Sequence, residues 1–284
     1  ARPAEELDVW LERITRELAE YKAKKPDGVV APFAVNQIVH SSNDRLQHDV
    51  EMCVKYKVPI IITSLRAPND VVEPIHSYGG LVFHDVINVK HAKKAIEAGV
   101  DGLILVCAGA GGHAGQLSPF ALVSEIREFY DGPIILSGSI SKGEQILAAQ
   151  AMGADLAYMG TRFIATHEAN ADQAYKQMLV DTSADDIVYS NLFTGVHGNY
   201  LKPSIQNAGM DPNNLPEGDK STMKFGSGGS SKTKAWRDIW GAGQGVGSIG
   251  AITSTAEAVS KLEQEYASAR ARMQAIASPY GEQA

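Results

Sequence analysis

Gly102-Leu103-Ile104-Leu105-Val106-Cys107 runs through Ala108 into Gly109-Ala110-Gly111-Gly112-His113-Ala114-Gly115, and the join between these halves decides the fold class. The first half is aliphatic with no polar alternation, the pattern of a strand buried on both faces. The second half places four glycines in seven residues. Glycine has no Cβ, so the backbone can lie close to a ligand and take a positive φ. The one histidine among them carries the side chain whose ordinary pKa lies nearest working pH. A buried strand that empties into such a loop is how an α/β barrel builds a site at its C-terminal face. Taken alone the loop is a mobile turn with an incidental histidine; two later loops of similar type weigh for the functional reading.

The same alternation extends both ways from this strand. Upstream, strands are expected at 29–35, ending at Asn36, at 58–63 and at 81–85, followed by helices over 40–56, 70–78 and 89–98. Downstream, helix 118–129 leads to strand 133–137, helix 142–152 and strand 155–160. These six β-then-α units recur at roughly 25-residue spacing, which implies parallel strands with right-handed crossovers. The chain opens on an amphipathic helix bearing Leu7, Trp10, Leu11, Ile14, Leu18 and Tyr21. The expected fold is a TIM (β/α)₈ barrel lacking its first two strands in this chain, about 40–50 residues by the usual size of such units. An open doubly wound sheet would place its glycine loop after the first strand. Residues 1–181 and 241–284 are assigned to the barrel. Residues 182–240, rich in Gly, Asn, Pro, Ser and Lys, are assigned to an insertion after the eighth strand, a lid over the substrate side or a mobile surface segment. A last helix is expected over 255–276.

The 284 residues carry a net charge of −7, with 44% hydrophobic and 21% charged side chains. Lys and Arg are scattered, so neither nucleic acid nor an anionic membrane is an expected partner. Cys53 and Cys107 stand far apart, outside any metal-ligand pattern, and are read as reduced thiols in a cytoplasmic protein with no metal. No run is long enough for a membrane span. His40, His48, His76, His91 and His167 are read as solvated or capping, and His84 as ambiguous.

Ser137-Gly138-Ser139-Ile140-Ser141 and Gly160-Thr161-Arg162-Phe163 each follow a buried strand and lead into a helix. Small residues and N–H groups at such a turn suit an anion, and in barrel order these are the seventh and eighth units, where phosphate commonly binds. Arg162 either neutralises that phosphate or pairs with a carboxylate elsewhere. A phosphate there, with a glycine loop one unit earlier, suits flavin mononucleotide. Its ring would lie across the mouth against Gly111 and Gly112, with the polar strand ends Asn36, Thr63 and Asp85 at its edge. Gln244 and Gly245, with Trp240, would close over it from the returning loop. Tyr200 and Lys202 either reach an anion or are simply exposed.

The segments CAGAGGHAG, PIILSGSIS, GADLAYMGTRF and WRDIWGAGQGVG resemble those of the nitronate monooxygenase family, from about Val29 to the final helix. The resemblance implies an FMN enzyme that oxidises alkyl nitronates with dioxygen to a carbonyl compound and nitrite. It places the base at His113, the phosphate contacts at Gly138, Ser139, Gly160 and Thr161, with Ser137 beside them, and a flavin contact at Gly111. Family members open with an Ala-Pro-Met-type segment that this chain lacks, and some flavin relatives have lysine at the position of Asp85. The partners implied are a small nitronate and dioxygen, with a homodimer left open. The same barrel serves FMN-dependent NAD(P)H reductases of quinone or enoyl-acyl-carrier-protein type, which also carry a GGH loop.

Overall fold

The computed structural model describes residues 4–218 and 237–277. The Gly226–Lys232 stretch and Trp236, included above in the insertion, lie outside them. The chain divides into two compact units, one running to Leu103 and the other beginning at Ile104.

In the first unit, α1 (Ala4–Lys24) buries only Leu7 and Leu11 of its six apolar positions. Strands β1 (Ala34–Val39), β2 (Ile60–Leu65) and β3 (Leu81–Val86) are parallel, with Ala34 opposite Ile60 and Ile60 opposite Leu81. Helices α2 (Leu46–Lys55), α3 (Asn69–His76) and α4 (Val89–Glu97) follow them in turn. Asn88 caps α4 by accepting the His91 N–H at 2.8 Å.

Two expectations shift here. The first strand begins five residues later than expected. Pro32 has no N–H for the ladder, Val29 is 89% exposed, and pairing with β2 starts only at Ala34. Asn36 is therefore the third residue of β1 and exposed, while its neighbour Gln37 is buried. The second helix begins at Leu46 because the polar residues before it fold a turn of their own. His40 Nδ1 meets the Ser42 hydroxyl at 2.8 Å, and Asn43 donates its amide to the Ile38 carbonyl at 2.8 Å, a local bonding that competes with capping.

Strand β4 (Gly102–Val106) is buried at all five residues and carries the chain into the second unit. There β5 is a two-residue strand, Gly112–His113. Helix α5 (Pro119–Arg127) has its proline in the first turn, where the missing N–H costs nothing. Strands β6 (Ile134–Ser137) and β7 (Leu156–Tyr158) follow β4 in that spatial order, with Ile135 opposite Leu156. The Asp155 carboxylate accepts the Ile134 N–H and an Arg127 guanidinium N–H, each at 2.7 Å, and these bonds hold it below the ordinary carboxylate range. Helix α6 (Gly143–Ala151) follows β6, and the four-residue α7 (Thr161–Ile164) follows β7. Helix α8 (Gln173–Asp181) leads to a small antiparallel sheet of β8 (Ile187–Ser190) and β9 (Gly198–Leu201), with β5 on the other side of β9. After the short α9 (Lys202–Asn207) and the returning loop, α10 (Thr255–Ala277) packs on α6, where Glu265 accepts the Gly143 N–H at 2.9 Å.

Tyr200 is not exposed. It is fully buried with Ile205 and Ile239, its ring edge-on to Phe193. Among the described residues no helix is long and apolar enough to cross a membrane.

Leu105 in β4 is fully buried. Leu105→Ala is expected to destabilise by about 2–5 kcal/mol, the usual cost of an unfilled core cavity. Denaturant unfolding checks this, and a loss under about 1 kcal/mol contradicts a strand buried on both faces.

Candidate active site

The chain leaves β4 through a tight turn, Ala110 N–H to Cys107 carbonyl at 3.2 Å, with Gly109 at φ +80°. It returns at β5, where Gly112 lies opposite Asn199 and His113 opposite Gly198. The glycine loop is thus half turn and half strand.

A cavity of about 350 Å³ opens beside it, lined entirely by second-unit residues. Gly109 to Gly112 form one wall, Ser137 to Ser141 a second, and Tyr158, Gly160, Thr161, Ile164 and Tyr175 a third. Gly241, Gly243 and Gly245 complete it. Every described lining residue is uncharged, and four of them carry aliphatic hydroxyls.

The walls are laced through the backbone. The Gly109 carbonyl accepts from Gln244 N–H at 2.9 Å and from Ser139 N–H at 3.3 Å. Gly243 donates its N–H to the Thr161 hydroxyl oxygen at 2.9 Å, which leaves that hydroxyl's own proton to be given elsewhere. Ser141 is spent on structure, donating to the Gly245 carbonyl at 2.9 Å. Asn199 donates to the Ala110 carbonyl at 2.7 Å. The approach is so close that a Cβ on Gly111 would stand 2.7 Å from Gly243 N, and one on Gly243 2.7 Å from the Gly109 carbonyl oxygen. At Gly160 the opposite holds: beyond its chain neighbours, a Cβ would meet no atom of the described residues within 4 Å.

His113 is partly buried, and burial lowers its pKa to about 4, so the imidazole is neutral at ordinary pH. Its Nε2 lies 2.8 Å from the Thr194 hydroxyl. It stands next to Gly112 in β5 but is not part of the cavity lining. The Gln244 side chain is exposed and packs beside Gly109, while the adjacent Gly245 lines the cavity.

The structure therefore brings Gly111, Gly112, Ser137, Gly138, Ser139, Gly160, Thr161 and Gly245 to one cavity. Asn36, Thr63 and Asp85 belong to the first unit. There Thr63 is fully buried, its hydroxyl donating to the Phe83 carbonyl at 3.2 Å and 2.8 Å from His84 Nδ1, and burial lowers His84 to about 4. Asp85 Oδ1 is buried with no hydrogen-bond partner among the described residues, and burial raises the carboxyl to about 7. Among the described residues Arg162 neither lines the cavity nor pairs with a carboxylate. It is buried, with Nη2 3.4 Å from the Thr253 hydroxyl and Nη1 without a partner among the described residues. Cys107 is buried and its thiol is pushed up to about 12, as suits packing. Among the described residues no group of three or more His, Cys, Asp or Glu could hold a metal ion.

Sequence reasoning missed three contributors. Tyr175 lines the cavity, donates its hydroxyl to the Gly241 carbonyl, and stacks on Trp240 with ring centroids 5.0 Å apart. Asn199 fixes the glycine loop, and Thr194 meets His113. Each lies at least 60 positions from the loop, and none sits in a pattern that spacing could single out.

Parallel strands followed by helices, with a glycine-lined cavity at the loops after β4, β6 and β7, define an α/β protein whose candidate site lies at C-terminal strand ends. Comparison with known proteins narrows this. A family model described as nitronate monooxygenase matches residues 4–265, and the chain belongs to that family. A curated relative from Bacillus subtilis (strain 168), described as a probable nitronate monooxygenase, is 26% identical over 257 residues, covering 81% of this chain and 71% of the relative. Other curated relatives match over 44%, 50% and 61% of their own length, so the chain spans about half of several relatives it resembles. FabK from Thermotoga maritima superimposes with a TM-score of 0.69 at 22% identity, covering 92% of this chain and 84% of that one. A nitroalkane oxidase from Streptomyces ansochromogenes gives 0.66 at 19%, covering 91% and 87%. These likenesses establish the TIM-barrel fold class.

Proposed function

We propose that the chain is the FMN-dependent catalytic barrel of a nitronate monooxygenase, oxidising small alkyl nitronates, and nitroalkanes after loss of a proton, with dioxygen to a carbonyl compound and nitrite. The observation that carries the reading is the uncharged cavity that joins the glycine loop to two hydroxyl-bearing turns. Its volume falls within the usual range for ligand pockets. Gly160 faces open space, and the Thr161 hydroxyl has a proton to give. These features fit a phosphate monoester held by hydroxyls and N–H groups. Ser137, Gly138, Ser139, Gly160 and Thr161 would hold that phosphate, with Gly111, Gly112 and Gly245 against the rest of the cofactor. FMN, when bound, supplies the two-electron and oxygen chemistry that no side chain of this chain can.

The protein's own contribution centres on His113. A neutral nitroalkane must lose its α-proton, and a neutral imidazole is the form that accepts one. A nitronate arrives without that proton and does not need the base. Tyr175, stacked on Trp240, would help keep water from the cavity wall.

The deciding experiment is anaerobic mixing of the flavin-loaded protein with an alkyl nitronate, followed at the flavin band. Bleaching without nicotinamide is expected; bleaching only with NADH or NADPH gives the reductase reading instead. Gly160→Ala should unfold within about 0.5 kcal/mol of the parent yet weaken FMN binding at least severalfold by fluorescence titration. Unchanged affinity removes the phosphate from this turn. Because burial holds His113 near 4, kcat/KM for a neutral nitroalkane should fall only as pH drops through about 4; a limb at 6.5 or above contradicts the assignment. His113→Ala should cost this substrate on the order of 10²–10⁴ in rate and a nitronate much less.

A further inference from the structure

We infer that Arg162 and Lys176, buried behind the cavity wall, supply the positive charge that selects a phosphate monoester over its uncharged counterpart without touching it; this rests on the reading of the cavity as the FMN site.

Each of these cations directly follows a lining residue in sequence. Thr161 and Tyr175 line the cavity; Arg162 and Lys176 do not, and are only 6% and 5% exposed. Arg and Lys are almost never so deeply buried unless paired. Yet among the described residues neither meets a carboxylate. Arg162 Nη2 donates to the Thr253 hydroxyl at 3.4 Å, its Nη1 has no partner among the described residues, and Lys176 Nζ donates to the His167 carbonyl at 3.3 Å. Carboxylates of the adjoining segments are committed at the surface: Glu168 accepts from Thr255, Asp172 from Ala174, Asp181 from Gln177 and Glu257 from Ser254.

The two cations also converge. Their acceptors are bonded to each other, the His167 N–H donating to the Thr253 carbonyl at 2.9 Å. Two like charges thus end on neighbouring residues, which adds repulsion to the cost of burial. An anion arriving on the far side of the same wall relieves both. Hydroxyls and N–H groups make its contacts, and the charge acts from behind them. Away from water such attraction reaches beyond contact distance, and salt screens it less than it screens a surface pair. Riboflavin has the ring and side chain of FMN but no phosphate, so it makes the remaining contacts without this attraction.

Fluorescence titration with FMN and with riboflavin tests the inference. The parent should prefer FMN, and the preference should persist in about 1 M KCl. Arg162→Met and Lys176→Met should each cut the preference on the order of tenfold with riboflavin affinity little changed, while Arg162→Lys should keep most of it. Because each cation lacks a carboxylate, the cofactor-free methionine variants should unfold at no lower denaturant than the parent. A parent without the preference, or one that loses it in salt, overturns the inference with no variant needed. Methionine variants that keep the ratio overturn it and leave the FMN reading standing; variants that lose both flavins alike, or fail to fold, give the cations a structural role and overturn it too. A parent that takes up neither flavin removes the FMN reading and this inference with it.

Discussion

The site depends on one contact, the main chain of residues 109–111 lying directly against that of 241–245. The Gly109 carbonyl is shared by Gln244 and Ser139 N–H groups, and Gly243 N–H reaches Thr161. Each such bond adds only about 1 kcal/mol net, but a buried carbonyl left unpaired would cost more. The lacing therefore fixes where the loop can be. With it fixed, the hydroxyls of two different turns face one space.

That arrangement also sets the electrostatics. Because backbone and uncharged side chains build the walls, the described residues of the lining carry no charge. On the proposed reading a phosphate would be met by dipoles and hydroxyls, while burial keeps the nearby imidazole neutral. A cationic lining would have favoured a charged flavin ring or substrate anion. On the reading proposed above, a neutral lining suits a neutral carbon acid and would leave proton transfer and positioning as the protein's task.

Much of this was legible in the residues. The aliphatic run at 102–107 read as a buried strand, and β4 is buried throughout. The glycine loop and both hydroxyl-bearing turns were visible because glycine clusters after apolar runs have few other uses. What escaped notice was contextual. Val29 and Val30 looked like a strand, but Pro32 and the partner strand moved pairing to Ala34. Ser42 and Asn43 looked like caps but bond to their own turn. Arg162 offered two readings in sequence, a phosphate or a carboxylate, and the fold gave it Thr253. Thr194 and Asn199 became relevant only through the antiparallel sheet, and Tyr175 only through the contact of α8 with the returning loop, neither of which leaves a spacing signature.

The contact between Gly111 and Gly243 also constrains how such a chain can diverge. Most crowded positions in a core admit compensation, since a larger residue on one side is answered by a smaller one opposite. Here the obstacle on each side is a main-chain atom: Gly243 N and Ala242 C face Gly111, while the Gly109 carbonyl oxygen and Gly111 N face Gly243. Nothing is left to trim. The two glycines form a lock with no second key, and variation in specificity must enter through side chains around the cavity, such as Tyr158, Ile164 and Tyr175, rather than through the loops that close it.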